Sequence, residues 1–311
     1  MNKDGVLVVG SANMDLVITA DRFPKPGETI FGKNFRMFPG GKGANQAVGC
    51  AKLGCRTYFT GKFGKDDFHA RLHQSMEKDG VNLDHVFTDE NESTGTALIT
   101  VDNSGQNEIV VISGSNMKLS PEDIESKTGL FAVVNIVLVQ LEIPLTTVIK
   151  TAELAKANGC IFILNPAPAR KLPEELMSMV DYLTPNETEL ELLSGLKVTD
   201  EVSALKAARE LIGKGVKNII VTLGSKGALL VTGVSSRIFE PVKVNPVDTT
   251  AAGDSFNGAL AYSLNAGNDI EGAIAFANKA AAISVTRLGA QNSMPFIHEI
   301  DELVTINSLQ G

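Results

Sequence analysis

The 311-residue sequence has no tryptophan, three cysteines and four histidines, and no apolar run approaches the ~20 residues that a bilayer-spanning helix requires. Each scarcity excludes something. Cys50, Cys55 and Cys160 are odd in number and form no C-x-x-C pair, which argues against a disulfide framework or a zinc site and leaves them as small apolar side chains. His69 and His73 have the spacing of a helical metal-binding pair, but no Glu follows His69, so both are read as part of a solvated helix face. Positive charge is also in deficit. With a formal net charge of -8, no nucleic-acid or anionic-membrane partner is expected, and any phosphate must be held by local groups. The sequence contains no G-x-x-x-x-G-K-[ST] loop, and its glycine clusters lack the spacing of a dinucleotide fingerprint. Met1-Asn2-Lys3-Asp4-Gly5 opens directly into the apolar Val6-Leu7-Val8-Val9 without a leader-like h-region, so a cytoplasmic protein is expected. Absence of tryptophan means that intrinsic fluorescence reports little on any closure of the molecule.

What is present is ordinary for a soluble globular chain with a substantial core: 43% hydrophobic and 21% charged residues. The most informative stretch is Val247-Asp248-Thr249-Thr250-Ala251-Ala252-Gly253-Asp254-Ser255-Phe256-Asn257-Gly258, which runs into the apolar helical pattern Ala259, Leu260, Ala261, Leu264. Small residues at a helix start leave backbone N–H groups free to meet an anion, helped by the macrodipole. Asp254 there is either a helix N-cap or a base that accepts a proton from a hydroxyl attacking a phosphate.

Taken in order, Val6 to Gly10 reads as a buried parallel strand followed by Asn13 and Asp15, which in extended chain face the same way; an Asx turn is the alternative. Leu16–Ala20 and Thr29–Phe38 read as antiparallel strands about a Pro-Gly turn, and Thr96–Val101 with Glu108–Ser113 as a hairpin that could join them in one small sheet. Between them Gly40-Gly41-Lys42-Gly43-Ala44-Asn45 precedes a helix from Gln46 to Leu53, with Lys42 and Asn45 as donors to a closely approaching ligand, or as a flexible turn. Beyond residue 130 strands and helices alternate, and the polar residues Glu142, Asn165, Asn186 and Gly224 fall at strand C-terminal ends, where open α/β sheets bind ligands. Asn186 and Glu189 are one helical turn apart, suited either to organising hydrated magnesium with phosphates or to capping the helix. Long helices follow at Gly258–Ala266 and Ile270–Thr286.

Gly40-Gly41-Lys42-Gly43-Ala44-Asn45 resembles the first signature of the ribokinase-like (PfkB) carbohydrate kinases, and Asp248-Thr249-Thr250-Ala251-Ala252-Gly253-Asp254 the second. Asn165-Pro166-Ala167-Pro168-Ala169, Pro185-Asn186-Glu187-Thr188-Glu189 and Thr222-Leu223-Gly224-Ser225-Lys226-Gly227 extend the resemblance over nearly the whole chain, in order. It implies one α/β domain over residues 1–311: a doubly wound parallel sheet flanked by helices, with a small antiparallel β lid from segments near 14–38 and 95–113 that pairs with a partner's lid in a homodimer. It also implies transfer of the γ-phosphoryl group of ATP to the 5-hydroxyl of ribose, with deoxyribose or another sugar as the alternative acceptor and a silent sugar-binding regulator as the remote one.

By that resemblance Asn13, Asp15, Gly41, Lys42, Asn45 and Glu142 hold the sugar, and Asn186, Thr222, Gly224, Ser225, Lys226, Gly227, Gly253 and Asn278 line the ATP site. Ala251, Ala252 and Gly253 form an anion hole with Asp254 as base. Asn186 and Glu189 position Mg2+, and Asp248, Thr250, Ser284, Arg287, Gly289 and Ser293 ligate K+, several through backbone carbonyls. Many family members carry Gly where Ala251 stands. Alanine is comfortable only at negative φ, so a helical backbone is expected there.

Overall fold

The computed structural model describes residues 3–308, with side chains through 302; the expectation of one domain over 1–311 therefore extends, at residues 1–2 and 309–311, outside the described residues. In chain order the strands are β1 (Val6–Val9), β2 (Asn13–Thr19), β3 (Asn34–Gly40), β4 (Thr57–Thr60), β5 (Lys62–Gly64), β6 (Val81–Asn82), β7 (Phe87–Asp89), β8 (Gly95–Val101), β9 (Asn107–Ile112), β10 (Ile136–Val139), β11 (Ile161–Leu164), β12 (Tyr182–Leu183), β13 (Asn218–Thr222), β14 (Ala228–Thr232) and β15 (Ser236–Phe239). The α-helices are α1 (Lys42–Lys52), α2 (Asp67–Lys78), α3 (Pro121–Glu125), α4 (Thr128–Phe131), α5 (Leu145–Ala157), α6 (Glu174–Met179), α7 (Glu187–Ser194), α8 (Glu201–Gly213), α9 (Ala252–Asn265), α10 (Ile270–Ser284) and α11 (Ile297–Ser308).

Nine strands form the main sheet in the order β15-β14-β13-β12-β11-β10-β1-β4-β6. It is parallel from β6 to β13, and β14 and β15 add antiparallel at one edge. The short continuous runs VLVV, IVLV and IFIL suit strands covered on both faces. Alternation then sorts the side chains. Leu7, Val9, Val137, Val139, Phe162 and Leu164 pack with α5 and α8 on one face, whereas Val6, Val8, Ile136, Leu138 and Ile163 pack with α1 and α2 on the other. Each such fully buried aliphatic side chain contributes roughly 1.5–3 kcal/mol.

A second sheet has the order β3-β2-β8-β9, with β2 and β8 parallel and the outer pairs antiparallel. Only three residues, 10–12, separate β1 from β2, so this small sheet grows directly out of the large one at its third strand from the β6 edge. The expected strand at Thr29–Phe38 begins only at Asn34. Its partner β2 ends at Thr19, opposite Asn34, and residues 29–32 have no strand to pair with. Asn13 and Asp15 lie within β2, so the Asx-turn alternative is not what forms.

Two helices begin earlier than the sequence suggests. The helix expected from Gln46 starts at Lys42, inside the glycine cluster, with Gly41 as its N-cap at φ 87°. The helix expected from Gly258 starts at Ala252. His69, expected on a solvated face, is instead half-buried and stacks on Phe63 with ring centroids 4.6 Å apart. The three cysteines are buried and free, as expected. Among the described residues, no helix is long and apolar enough to cross a membrane.

Candidate active site

Helices α1 and α9 approach each other closely at Gly258, where an added Cβ would lie 2.9 Å from the Gln46 carbonyl oxygen and 3.2 Å from the Cys50 nitrogen. That approach brings the first turns of the two helices together. Asp254, 6% exposed, occupies the third position of α9. It is not the N-cap: that place belongs to Ala251, and the Asp254 carboxylate turns toward α1 instead. Its Oδ2 accepts from Asn45 Nδ2 and its Oδ1 from Gln46 Nε2, both at 2.9 Å.

Ala251 departs from expectation. Its backbone is left-handed, φ 59° and ψ 15°, and it is the only non-glycine residue with positive φ among those described. The conformation costs about 1 kcal/mol for a residue with a Cβ. In return the chain turns sharply before the helix, the kind of bend at which successive N–H groups form an anion-binding concavity. The N–H of Ala252 is spent on Thr249 O at 3.3 Å, while the remaining first-turn donors have no intrahelical acceptor.

The residues expected to hold the sugar meet where β1, β2, β10 and α1 converge. Glu142 Oε2 accepts from Ser11 Oγ at 2.5 Å and from the Lys42 backbone N–H at 3.1 Å. Asn13 is clamped by Asn116, whose Nδ2 donates to Asn13 Oδ1 at 2.8 Å and to Ala12 O at 3.2 Å, and whose Oδ1 accepts from Ala12 N at 3.0 Å. The clamp fixes the Asn13 amide so that its NH2 is left for a ligand. A methyl group at Gly95 would fall 2.1 Å from Asn13 Oδ1 and 2.2 Å from Asn116 Nδ2, so only glycine fits beneath the pair. Burial, with Glu142 and Asp254 nearby, pushes the Asp15 carboxyl up to about 7. Lys42 is shifted upward, chiefly by Asp254 and further by Glu142 and Glu189, so it remains a cation at neutral pH.

A cavity of about 190 Å³ is lined by Lys42, Asn186, Glu189, Thr222, Ala251, Ala252, Gly253 and Asp254 among the expected residues, and by Asn165, Ala167, Thr184, Thr249 and Asn257. Asn186 and Glu189 form a reciprocal capping box at the start of α7, 2.9 and 2.8 Å. The capping alternative is therefore realised, and the same two side chains still face the cavity. Burial raises the Glu189 carboxyl, and Lys42 offsets this only in part. Gly224, Ser225 and Lys226 make a 3-10 turn after β13, and Lys226 Nζ reaches Glu187 Oε1 at 3.5 Å. Gly227 abuts the backbone of Phe239, Glu240 and Pro241, and Asn278 donates to Glu240 O at 3.4 Å, so the two flank one segment; neither they nor Gly224, Ser225 and Lys226 line the cavity.

The residues assigned to a monovalent cation are only partly gathered. Asp248 Oδ1 accepts from Thr250 N at 2.9 Å and Oδ2 from Gly289 N at 3.0 Å, which ties the two loops together. Burial acts to raise the Asp248 carboxyl, but the bonds from Thr250 and Gly289 outweigh it and hold the group below its ordinary range. The Arg287 N–H donates to Ser284 O at 3.2 Å and its guanidinium pairs with Glu299; Ser293 Oγ donates to Ala290 O at 2.8 Å. A larger open depression of about 460 Å³ lies over α2, among Asp66, His69, His73 and Glu77, and contains none of the expected site residues.

Sequence reasoning missed Ser11, Gln46, Asn116, Gln140, Thr184 and Asn257. Gln140 and Thr184 end apolar strands and Gln46 follows Asn45, signals of position that were available. Asn116 sits in a short 3-10 helix, Gly114–Lys118, about a hundred residues from its partner, where nothing local marks it.

Comparison with known proteins gives a consistent picture. The profile described as pfkB family carbohydrate kinase matches residues 3–297. The ribokinase of Haemophilus influenzae is 43% identical over 297 residues, covering 96% of this chain and 97% of that one. The deoxyribokinase of Salmonella typhi is 39% identical over 303 residues, covering 97% and 99%. The ribokinase of Arabidopsis thaliana, solved with ribose and ATP, superposes with a TM-score of 0.93 at 36% identity over 97% of this chain and 99% of its own.

Proposed function

The chain belongs to the pfkB family of carbohydrate kinases, and from that premise we propose that it transfers the γ-phosphoryl group of ATP to the 5-hydroxyl of D-ribose, giving ribose 5-phosphate and ADP. The observation that carries the reading is Asp254: a buried carboxylate whose oxygens are held by Asn45 and Gln46, between the sugar-side residues and a cavity at the N-terminus of α9. A carboxylate so placed accepts the proton of the attacking hydroxyl. The turn at Ala251 to Gly253 receives the charge that builds on the transferred group. Asn13 and Asp15 offer a donor and an acceptor to neighbouring hydroxyls, Glu142 and Lys42 complete the sugar pocket, and closure of the β2–β3–β8–β9 sheet excludes water as a rival acceptor.

Glu189 and Asn186 suit Mg2+ carried by the ATP phosphates, since a half-buried carboxylate with a raised pKa next to an anion-binding turn is stabilised by added positive charge. When bound, the ion neutralises phosphate oxygens. K+ is placed by this proposal at the loops that Asp248 ties together, from where it would stiffen the turn that leads to Ala251. ATP occupies the side bounded by Thr222, Gly224, Ser225, Lys226, Gly227, Gly253 and Asn278. The homodimer expected from the sequence is supported by the apolar outer strands of the small sheet.

A second reading, 2-deoxyribose as acceptor, is favoured by the deoxyribokinase likeness. The test is ADP release with magnesium and ribose, 2-deoxyribose, fructose or adenosine, each in potassium and in sodium, beside Asp254→Asn. Ribose is expected to be the best acceptor, turnover higher in potassium, and the variant slower by roughly a thousandfold. Equal or better turnover of 2-deoxyribose reassigns the substrate, and an active Asp254→Asn removes the base.

A further inference from the structure

We infer that Gln46 is a positioning residue for Asp254, and that it works through a buried chain of amides running beneath the site from Gln140 to Thr184. This deepens the reading of Asp254 as base and rests on it. The chain is continuous. Gln140 Nε2 donates to Gln46 Oε1 at 2.5 Å; Gln46 Nε2 donates to Asp254 Oδ1 at 2.9 Å and to Asn165 Oδ1 at 3.0 Å; Asn165 Nδ2 donates to Thr184 O at 3.1 Å. Gln46 and Gln140 have no exposed surface.

The direction of every link is determined. An ionised carboxylate only accepts, so Gln46 must turn its NH2 to Asp254; the Thr184 carbonyl only accepts, so Asn165 must turn its Oδ1 to Gln46. Gln46 Oε1 is then left for Gln140, whose own Oε1 ends up buried with no partner. An orphaned buried acceptor of this kind is destabilising. A core serving packing alone would lose nothing by having an apolar residue at Gln140, whereas a core that must present two donors to Asp254 needs Gln46 held from behind. Asp254 has no side-chain bond to its own helix among those formed, so its aim is set by Asn45 and Gln46. Small errors in the placement of a reacting group are expensive in rate.

The test compares Gln46→Met, Gln140→Met and Asp254→Asn with the parent protein, measuring kcat, both KM values and the pH profile of kcat. Gln46→Met keeps the volume and removes the donors: kcat is expected to fall about 10- to 100-fold with both KM values within about threefold, and the acid limb of the profile to move to higher pH, because a carboxylate stripped of a donor binds its proton more readily. Gln140→Met, which leaves every contact to Asp254 in place, is expected to shift both quantities in the same direction with a fall of about threefold to tenfold. It carries the test alone if Gln46→Met does not fold. A kcat within twofold of the parent, or a fall with an unmoved acid limb, overturns the positioning role. Turnover by Asp254→Asn overturns the base itself, and an inactive Asp254→Asn beside an unimpaired Gln46→Met overturns only the inference.

Discussion

Burial, with Glu142 and Asp254 nearby, pushes the Asp15 carboxyl up to about 7 from its ordinary value of about 4. Between these two values the folded protein binds more protons than the unfolded chain, so this group lowers stability progressively as pH rises from about 4 to about 7. The full effect is at most on the order of 4 kcal/mol. Asp15→Asn is therefore expected to raise the melting temperature of the ligand-free protein more at pH 8 than at pH 5, while weakening sugar binding; a difference independent of pH would dismiss this account. Ala251 offers a second case. Because its φ of 59° suits glycine, Ala251→Gly is expected to add up to about 1 kcal/mol and to raise the melting temperature by about 1–2 °C with turnover retained. A lowered melting temperature would show that the methyl group does more by packing than it loses in strain. That Asp254, Lys42 and Asn45 come together is legible in the sequence because residue type and neighbourhood agree. The φ of Ala251 was not, since the helix start had been located from apolar residues that begin a turn and a half further on.

At the scale of elements, the strands were the easiest part to read: VLVV, IVLV and IFIL announce themselves by composition. The first turns of α1 and α9 were hidden for a physical reason. Gly43, Gly253, Asp254, Asn257 and Gly258 are poor helix formers or cap-seekers, and the close packing of α1 on α9 overrides that preference. The parallel pairing of β2 with β8 was equally invisible, because a register across eighty residues leaves no local trace. The α1–α9 contact gives a prediction at this scale. A methyl at Gly258 would meet backbone, not a yielding side chain, so Gly258→Ala is expected to cost about 1–3 kcal/mol and to reduce kcat more than either KM by moving Asn45 and Gln46 away from Asp254. Denaturant unfolding and steady-state kinetics check the two halves, and unchanged stability would mean that the helices separate at no cost.

At the scale of the whole molecule, the small sheet leaves apolar surface uncovered: Phe35 on β3, Ile18 on β2, Leu98 on β8 and Ile109 to Ile112 along β9 are all exposed. Such a patch beside an unpaired edge strand is costly to leave in water and marks an interaction face. The proposed homodimer covers it. Val110→Lys, at a position 61% exposed, is expected to turn the dimer into a monomer in light scattering with little change in the fold by circular dichroism; a persistent dimer would place the interface elsewhere.

Strand β2 contains both Asn13 and Asp15 and also forms the middle of that outer sheet. On the proposed function, grip on the sugar and the stiffness of the proposed subunit contact would both depend on one seven-residue ribbon. Whatever factor sugar binding imposes on subunit association, association imposes the same factor on sugar binding. Dilution below the dimer's dissociation constant should loosen the hold on sugar, and saturating sugar should tighten the dimer to the same degree.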